Sequence, residues 1–452
     1  MLRTSWTGHL SFTFMPTAVA DPVPLLQELI RFDTTNPPGN EAACLAHLRD
    51  RLSAAGISSR LLGGHPDRPN LVARVEGRGE APPLLLQAHV DVVTTVGQEW
   101  AQPPFEGRLL DGYVWGRGAL DQKSGVAMMA AALLQLAEEG RKPPGDVVFC
   151  ALADEEAGGV HGAQFLVERH PELFEGIRHG LGEGGGSVIY VGGRRFYTLM
   201  VAEKRSCRLR ATFRGPGGHA SRPLRGTAMG RLGRALVGLE QNRLPVHITA
   251  AARMLVEAIS EALPGAGGEP FRRLLDPAQT DDVLDGLDPI HANRLDATLH
   301  NTVSPTLVQG GIKINVIPSQ VSLDLDGRML PGFEPDQFIA EVRQLIGTTT
   351  DVEILNQGPR MPEPELGPAF EMLRGVVEEA DPGARVVPQL TTGATDARHF
   401  ARLGIRTYGF LPKRMPPEFT GEETVHNADE RVPAEAVRFG AGCIHQALLK
   451  YS

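Results

Sequence analysis

A run of seven apolar residues, Val147 to Ala153, ends directly in three carboxylates, Asp154, Glu155 and Glu156. An apolar run of this length, bounded by turn residues, is typical of a strand buried on both faces of a sheet. Neighbouring carboxylates repel one another, so this arrangement requires a partner that offsets their charge. Along an extended segment neighbouring side chains diverge, which allows Glu155 and Glu156 to take different roles. We expect Asp154 only to support the turn by hydrogen bonds.

Apolar strands and amphipathic helices alternate up to about residue 203, which predicts an α/β sheet. From 204 to 358, strands with alternating polar and apolar residues and a loosely patterned stretch, 241–299, predict an α+β unit. A Pro-rich segment follows, and α/β alternation then resumes. We therefore predict an α/β domain over 22–203 and 359–452, with a mixed, largely parallel sheet and flanking helices. An inserted α+β unit at 204–358 interrupts it.

Composition narrows the class of protein. The chain has 452 residues, of which 42% are hydrophobic and 22% charged, as in globular proteins with more than one core. The net charge of -9 argues against a nucleic-acid or anionic-membrane partner. Four cysteines, at positions 44, 150, 207 and 443, lack C-x-x-C pairing, which favours buried reduced thiols over disulfides or a thiolate metal site.

The N-terminal segment contains an A-x-A-like cleavage pattern, Ala18-Val19-Ala20, but the residues before it are too polar for a signal sequence. Only Arg3 supplies a positive charge there. We expect an unstructured leader, with Met15 as an alternative start, and a cytoplasmic protein.

Acidic and imidazole side chains recur where predicted elements end, often beside turn-forming residues. Ligands of open α/β sheets bind outside the carboxyl ends of the strands, which is where these residues fall. Carboxylates and imidazoles together suit zinc, cobalt or manganese, and a bridging carboxylate can hold two ions about 3.5–4 Å apart. Each residue alone has an ordinary explanation, such as a helix cap for Asp121 or a solvated loop for Glu155. Their combination favours a metal site. The set is His89, Asp91, Asp121, Glu155, Glu156, Glu183 and His426.

The chain resembles the M20 family of metallopeptidases and amidohydrolases from about residue 22 to its end. The motifs that carry the resemblance occur in the family's order. They are "AHVDVV", "WGRGALDQKSG", "ADEEAGG", "GEGGG", "GGHAS", "NVIP" with "DLDGR", "GATDAR" and "HNADER".

The resemblance implies two divalent metal ions per chain, with zinc as the first choice and cobalt or manganese as alternatives. His89 and Glu183 would bind one ion and Glu156 and His426 the other, while Asp121 would bridge both. Asp91 would orient the His89 ring, and Glu155 would act as general base. The peptide bond after Asp121 is expected to be cis.

The inserted unit would be a lid and dimerisation domain. His219 would stabilise the oxyanion, and in dimeric relatives this histidine comes from the partner subunit, which implies a homodimer. Arg328 would grip a substrate carboxylate, with a salt bridge on the strand face as its alternative. Asn301 would reach the substrate, and Gly393 and Thr395 would line the pocket floor. Because 241–299 is longer than a minimal lid requires, whether His219 acts in cis or in trans stays open.

We therefore expect a metal-dependent hydrolase that cleaves the amide bond of a small peptide or an N-acyl amino acid with a free carboxylate. A carboxypeptidase or dipeptidase is favoured slightly over an aminoacylase or other deacylase. A non-catalytic homologue that binds a small ligand is the alternative of a different class. The presence of Glu155 and of every implied ligand argues against it.

Overall fold

The computed structural model describes residues 20–287, 289–419 and 421–452, and the expected leader with its alternative start lies outside them, apart from Ala20. The first part of the chain alternates helices and strands. Its helices are α1 (Pro22–Ile30), α2 (Ala42–Ala54), α3 (Lys123–Glu138) and α4 (Ala163–Arg169). Its strands are β1 (Ser59–Leu62), β2 (Asn70–Val75), β3 (Leu84–His89), β4 (Arg108–Leu110), β5 (Tyr113–Trp115), β6 (Val147–Leu152), β7 (His179–Gly182), β8 (Val188–Val191) and β9 (Arg194–Glu203).

The middle of the chain begins two residues after β9. Its strands are β10 (Arg205–Arg214), β11 (Gly218–His219), β12 (Thr302–Gly310), β13 (Val316–Ile317), β14 (Gln320–Met329) and β15 (Asp351–Gln357). Its helices are α5 (Ala228–Gln241), α6 (Ala250–Ala262), α7 (Glu269–Arg273), α8 (Thr280–Asp285), α9 (Pro289–Leu299) and α10 (Pro335–Ile346). The last part holds α11 (Pro368–Ala380), β16 (Arg385–Thr391), α12 (Ala397–Phe400), β17 (Arg406–Gly409), β18 (Arg431–Pro433) and α13 (Ala434–Lys450).

The larger sheet has the strand order β1-β2-β6-β3-β7-β17-β9-β16, and β8 pairs with β9. The central neighbours β6, β3, β7 and β17 run parallel, whereas β2 and β9 join them antiparallel. This mixed sheet with a parallel centre agrees with the predicted class. All six residues of β3 and of β6 are buried, as expected for strands covered on both faces.

Helices cover both faces of this sheet. One face packs against a core that includes α1, α3 and α13, and α3 is buried along most of its length. The other face packs against α4 and α12 at one end. Phe196 and Tyr197, adjacent residues of β9, point to opposite faces of the sheet and pack into different hydrophobic clusters.

The smaller sheet is wholly antiparallel, with the order β12-β14-β10-β15. Helices α5 and α10 pack on one face of it, and Phe338 of α10 is fully buried there. Thr227 caps α5 by accepting a hydrogen bond from the Gly230 amide.

Residues 250–299 pack differently from the rest of the predicted inserted unit. Helices α6 to α9 cover the β9–β16 end of the larger sheet, where Val256 and Leu284 meet Phe196 and Val387. The predicted boundary at residue 204 coincides with the passage from β9 to β10. The unit formed around the smaller sheet therefore draws on 205–241 and 302–357. Apolar spacing alone could not indicate which sheet the intervening helices would cover.

Within the described residues, no helix combines the length and the apolar character needed to cross a membrane.

Candidate metal centre

Three parallel strands deliver their last residues to one edge of the larger sheet. Strand β3 ends at His89, β6 leads into the acids at 154–156, and β7 leads into Glu183. These strands are direct neighbours in the order β6-β3-β7. Because the carboxyl ends of parallel strands share one edge, the side chains converge although they are far apart in sequence.

His89 and two carboxylates form the first group. The His89 Nε2 atom lies 3.2 Å from Asp121 Oδ1 and 3.6 Å from Glu183 Oε2. Potential ligand atoms of His89, Glu155 and Glu183 also lie within 4.8 Å of one another, as do those of His89, Asp121 and Glu156. The structure therefore brings Glu155 close to the expected ligands as well.

His426 approaches the same carboxylates from the opposite end of the chain. Its Nε2 atom lies 3.2 Å from Asp121 Oδ2 and 3.3 Å from Glu156 Oε2. Asp121 thus has one oxygen facing each imidazole. This is the position that a carboxylate bridging two ions requires.

The electrostatics of the group favour positive charge. Hydrogen bonds from the His426 ring to the carboxylates of Asp121 and Glu156 raise the pKa of His426 to about 10. Burial would raise the pKa of Asp121, but His426 and His89 lower it overall. Among the described residues, the buried Glu156 Oε1 atom has no hydrogen-bond partner. Two imidazoles and several carboxylates, one with an unpaired oxygen, are a donor set suited to divalent cations.

Glu155 is set apart from its neighbour by its environment. Burial and the charge of Glu183 raise the pKa of the Glu155 carboxyl well above its usual value. A carboxyl group whose pKa lies closer to neutrality exchanges protons more readily at working pH. This property suits a general base better than a permanently ionised ligand.

Asp91 connects the histidine to the acidic loop. One of its carboxylate oxygens lies 3.4 Å from His89 Nδ1 and accepts the Glu155 amide at 3.1 Å. The other accepts the Glu156 amide, also at 3.1 Å, and the Asn36 side chain at 2.8 Å. The backbone oxygen of Asp91 forms the hydrogen bond to His89 Nδ1, at 3.0 Å. Asp91 therefore sets the positions of three site residues, the His89 ring through its backbone oxygen and the amides of Glu155 and Glu156 through its carboxylate.

The acidic loop is a turn and not the extended segment assumed from the sequence. Asp154 has a positive φ of 68°, and Glu155–Ala157 form a short 3-10 helix. Side chains one residue apart still diverge in this geometry, since a 3-10 helix turns about 120° per residue. Asp154 is buried and accepts hydrogen bonds from Asn36 and from the His161 amide. It also pairs with Arg68 at 2.9 Å, which in turn pairs with Glu41.

The loop that carries Asp121 is held by a residue that the sequence did not single out. Glu430 is fully buried and accepts hydrogen bonds from the amides of Gly118, Leu120 and Asp121. Arg117 pairs with the same carboxylate at 2.7 Å. Glu430 lies in the "HNADER" motif, only four residues after His426. That proximity is the one signal that could have identified it.

The peptide bond between Asp121 and Gln122 is cis, as the resemblance implied.

His219 lies on the smaller unit and is exposed. It belongs to a two-stranded ribbon, because Gly218 and His219 pair with Ile317 and Val316. Its Nδ1 atom accepts a hydrogen bond from the Ser221 hydroxyl at 2.8 Å. The backbone amide of Ala220 donates to Asn315 O, which extends the ribbon by one residue. Within the described part of the chain, no hydrogen bond or ion pair joins His219 to the metal centre.

The remaining predicted substrate residues have other partners in this structure. Arg328 pairs with Asp326 at 2.6 Å, the strand-face salt bridge that was its alternative reading. Asn301 is buried, donates to Glu341 at 2.8 Å and accepts the Leu330 amide at 2.8 Å. Thr395 is buried as well, and its hydroxyl donates to Glu203. Of the predicted floor residues, Gly393 alone is exposed. A motif match indicates the residue type but not its neighbours, so these contacts could not be foreseen.

Comparison with known proteins gives a family match over most of the chain. The model of peptidase family M20/M25/M40 matches residues 85–450. N-fatty-acyl-amino acid synthase/hydrolase PM20D1 of Xenopus tropicalis is 28% identical over 402 residues, which cover 85% of this chain and 75% of the relative. Aminoacylase-1 of Sus scrofa is 26% identical over 422 residues, covering 91% of this chain and 90% of the relative.

The fold is also shared with a solved structure. An M20 family metallo-carboxypeptidase from Sulfolobus solfataricus, Sso-CP2, superimposes with a TM-score of 0.65 at 16% identity. The superposition covers 95% of this chain and 98% of the carboxypeptidase. At this identity the likeness concerns the fold.

Proposed function

The chain belongs to peptidase family M20/M25/M40, and on that premise we propose that it is a metal-dependent amide hydrolase. Its substrate would be a small peptide or an N-acyl amino acid with a free carboxylate. The observation that carries the proposal is Asp121, whose two carboxylate oxygens face the imidazoles of His89 and His426 at 3.2 Å each. A merely structural acidic cluster would not need two imidazoles around one carboxylate.

In this proposal His89 and Glu183 would hold one ion, Glu156 and His426 would hold the other, and Asp121 would be shared by both. Two bound divalent ions, with zinc as the first choice and cobalt or manganese as alternatives, would supply a water acidified toward neutral pH. Asp91 supports the arrangement from behind, because it binds the His89 ring and the amides of Glu155 and Glu156.

Glu155 takes the proton of the attacking water on its carboxylate and returns it to the leaving nitrogen of the amide. Its raised pKa, caused by burial and by Glu183, supports this role. The carbonyl oxygen of the substrate gains negative charge during the attack, and His219 is the proposed donor to it. The solvent-exposed ring of His219 leaves it free to meet a substrate.

The smaller unit is proposed to act as a lid and as the surface of a homodimer. Edge strand β12 exposes Leu307 and Val308, at 59% and 54%, and the following loop exposes Ile312 and Ile314 completely. Exposed apolar side chains on an unpaired edge strand are a common site of association. A partner subunit there would explain why, among the described residues, no hydrogen bond or ion pair joins His219 to the metal centre of its own chain.

Arg328 remains the proposed partner of the substrate carboxylate. Its side chain is 26% exposed, and a bound carboxylate would have to compete with Asp326. The planar fork of donors suits bidentate binding of such a group.

Two substrate classes are compatible with this site. The slight preference from sequence was for a peptidase, and the fold is shared with a carboxypeptidase. The relatives named PM20D1 and aminoacylase-1 have names that refer to acylated amino acids, which favours N-acyl amino acids as the second candidate. We also propose a cytoplasmic location, since all four cysteines are free buried thiols.

The proposal is tested by measuring hydrolysis of matched pairs, each a dipeptide and the N-acyl derivative of the same C-terminal amino acid. The purified protein is assayed with zinc, cobalt and manganese, and with the substrate carboxylate free or amidated. We expect turnover of at least one series, with a large loss of kcat/KM on amidation. Metal-loaded protein that cleaves neither series would contradict the proposal.

The role of Glu155 is tested by Glu155→Gln, with Glu138→Gln on the exposed surface of α3 as the matched control. We expect kcat to fall by about 10²–10⁴-fold in the first variant. The metal content of both variants should equal that of the parent. A Glu155→Gln protein with full activity would exclude this carboxylate as the base.

A further inference from the structure

The chain passes between its two units at four places, and these crossings lie side by side. The first is at residue 204, between β9 and β10, and the second is at 242–249, between α5 and α6. The third is at 300–301, between α9 and β12, and the fourth is at 358–367, between β15 and α11. Any change in the orientation of the smaller unit has to bend all four.

Lys204 occupies the first crossing and is fully buried. Its ammonium donates three hydrogen bonds to the third crossing and to the ends of the elements on either side of it. The acceptors are Ala297 O at 3.0 Å, His300 O at 2.9 Å and Thr302 Oγ1 at 2.9 Å. An ammonium group has three donors, so all of them are satisfied.

The identity of these acceptors explains why a lysine can be buried here. Ala297 belongs to the last turn of α9, where unpaired carbonyl groups favour a cation. Burial lowers the pKa of Lys204 to about 7, with Asp296 opposing the shift. Its three polar contacts join the end of α9, on the larger sheet, to the first residue of β12, on the smaller one.

Asn301, in the third crossing itself, connects this crossing to the smaller unit. Its amide group donates to Glu341 of α10, and its carbonyl oxygen accepts the Leu330 amide. His247, in the second crossing, lies 2.7 Å from the other oxygen of Glu341. A backbone bond from His247 to Leu299 O, also 2.7 Å long, joins the second crossing to the third.

The fourth crossing is bonded to the two residues that follow Lys204. Arg205 Nε donates to Gly358 O at 2.8 Å, and the Gly358 amide donates to Ser206 O at 2.9 Å. Hydrogen bonds therefore connect the first three crossings to one another and the fourth to β10, which begins directly after the first. Four side chains contribute to this set, Lys204, Asn301, His247 and Arg205. Of the four, Lys204 and Asn301 are buried and the other two are half-buried.

We propose that Lys204 and Asn301 are positioning residues that lock the junction between the two units and so set where the smaller unit presents His219 and Arg328. Neither touches the metal centre, and their effect on catalysis depends on the lid role under the proposed function. Asn301, expected from sequence to contact the substrate, is here assigned to the junction. Glu203, next to Lys204, accepts hydrogen bonds from Thr395, which is one of the predicted floor residues. The segment 203–204 therefore contacts both the junction and the predicted pocket floor.

The proposal is tested by measuring the distance between the units with spin labels at Ala137→Cys on α3 and Ala340→Cys on α10, both exposed positions. The four native cysteines are buried, which directs labelling to the introduced ones. Labelled chains are diluted with an excess of unlabelled chains, so that distances between subunits do not contribute.

We expect Lys204→Met to broaden or shift the distance distribution, and Thr302→Val, which removes one acceptor, to do so to a smaller extent. Thr302→Ser and the surface variant Lys142→Met should leave it unchanged. A folded Lys204→Met protein with the parent's distribution would overturn the proposal. If Lys204→Met does not fold, Thr302→Val decides in the same way.

Kinetics then separate this role from the proposed function. We expect kcat/KM to fall by about 10- to 100-fold in Lys204→Met, because a misplacement of about 1 Å can cost that much. Asn301→Ala should change both the distance distribution and kcat/KM. An Asn301→Ala protein with a raised KM and an unchanged distribution would return this residue to the substrate site. The distance measurement needs no turnover, so it stands even if neither substrate series is cleaved.

Discussion

At the scale of single residues, the sequence singled out the acids and imidazoles of the site and two of their supports, Asp91 and Asp154, but not the others. His89 lies in an apolar run and the acids at 154–156 follow one, whereas Glu183 lies in a glycine-rich turn, and the ligand roles came from the resemblance to the M20 family. Asn36, Arg68 and Glu430 lie in segments without such a pattern and reach the site only through the fold. A buried hydrogen bond between distant segments has no local signal in either segment.

Replacement of Asp91 by Asn should disturb two groups at once. In the parent protein the Asp91 carboxylate accepts the backbone amides of Glu155 and Glu156 and lies 3.4 Å from the His89 ring. In the variant, the side-chain nitrogen of the introduced asparagine would replace one of these oxygens and could not accept a hydrogen bond. We expect metal affinity and kcat each to fall by about 10–100-fold, as for other partners that support metal ligands. Metal titration and steady-state kinetics measure both. Asp50→Asn, on the exposed surface, is the control, and equal values in the two variants would argue against this role.

Glu203 should make stability depend on pH. Burial raises its pKa from 4.5 to about 7, so the unfolded chain loses this proton at lower pH than the folded one. The folded state therefore loses stability as pH rises from 4.5 to 7, by on the order of 3 kcal/mol, and the loss levels off above pH 7. Gln resembles the protonated carboxyl, so Glu203→Gln should be similar to the parent near pH 4.5 and more stable at pH 8. Urea unfolding at several pH values checks this, and parallel curves for the two proteins would contradict it.

At the scale of elements, the periodicity of apolar residues predicted where strands and helices form. It predicted less well which other elements each of them packs against. Helix α5 begins directly after Thr227, a residue type that commonly caps helices and that caps this one. The stretch 241–299 had only a loose pattern and forms four helices on the larger sheet. An amphipathic pattern does not specify which apolar surface the helix will meet.

Strand β12 should carry the contact between subunits if the proposed homodimer forms. Leu307→Glu places a charge at an apolar position on its exposed face and should shift the protein toward monomer. Sedimentation velocity over a range of concentrations measures this. Leu403→Glu adds the same charge at an exposed site of the larger unit and should leave the association unchanged. Equal sedimentation of both variants and the parent would locate any dimer contact elsewhere.

At the scale of the whole molecule, the metal centre combines residues from both ends of the described chain. His426 follows His89 by more than three hundred positions, yet both imidazoles meet Asp121. The resemblance to the M20 family anticipated this meeting. The physical pattern at His426 alone did not, because its motif has no distinctive periodicity.

Removal of bound metal should destabilise the whole fold. Without a cation, the neighbouring carboxylates Asp121, Glu156 and Glu183 lose a partner that binds only the folded state. A ligand at 100 times its Kd adds about 2.7 kcal/mol to the free energy of unfolding. We expect a chelator to lower Tm and zinc, cobalt or manganese to restore it. The difference should shrink in Asp121→Asn, and an equal difference in that variant would exclude Asp121 as a ligand.

The sequence by itself determined the alternation of strands and helices and the types of side chain at the strand ends. These properties depend on local patterning, which each segment carries independently. Only the tertiary structure decided that α6 to α9 cover the larger sheet, that Glu430 holds the Asp121 loop and that Lys204 joins two crossings of the chain. Those are contacts between distant segments, and they depend on which surfaces meet when the chain folds.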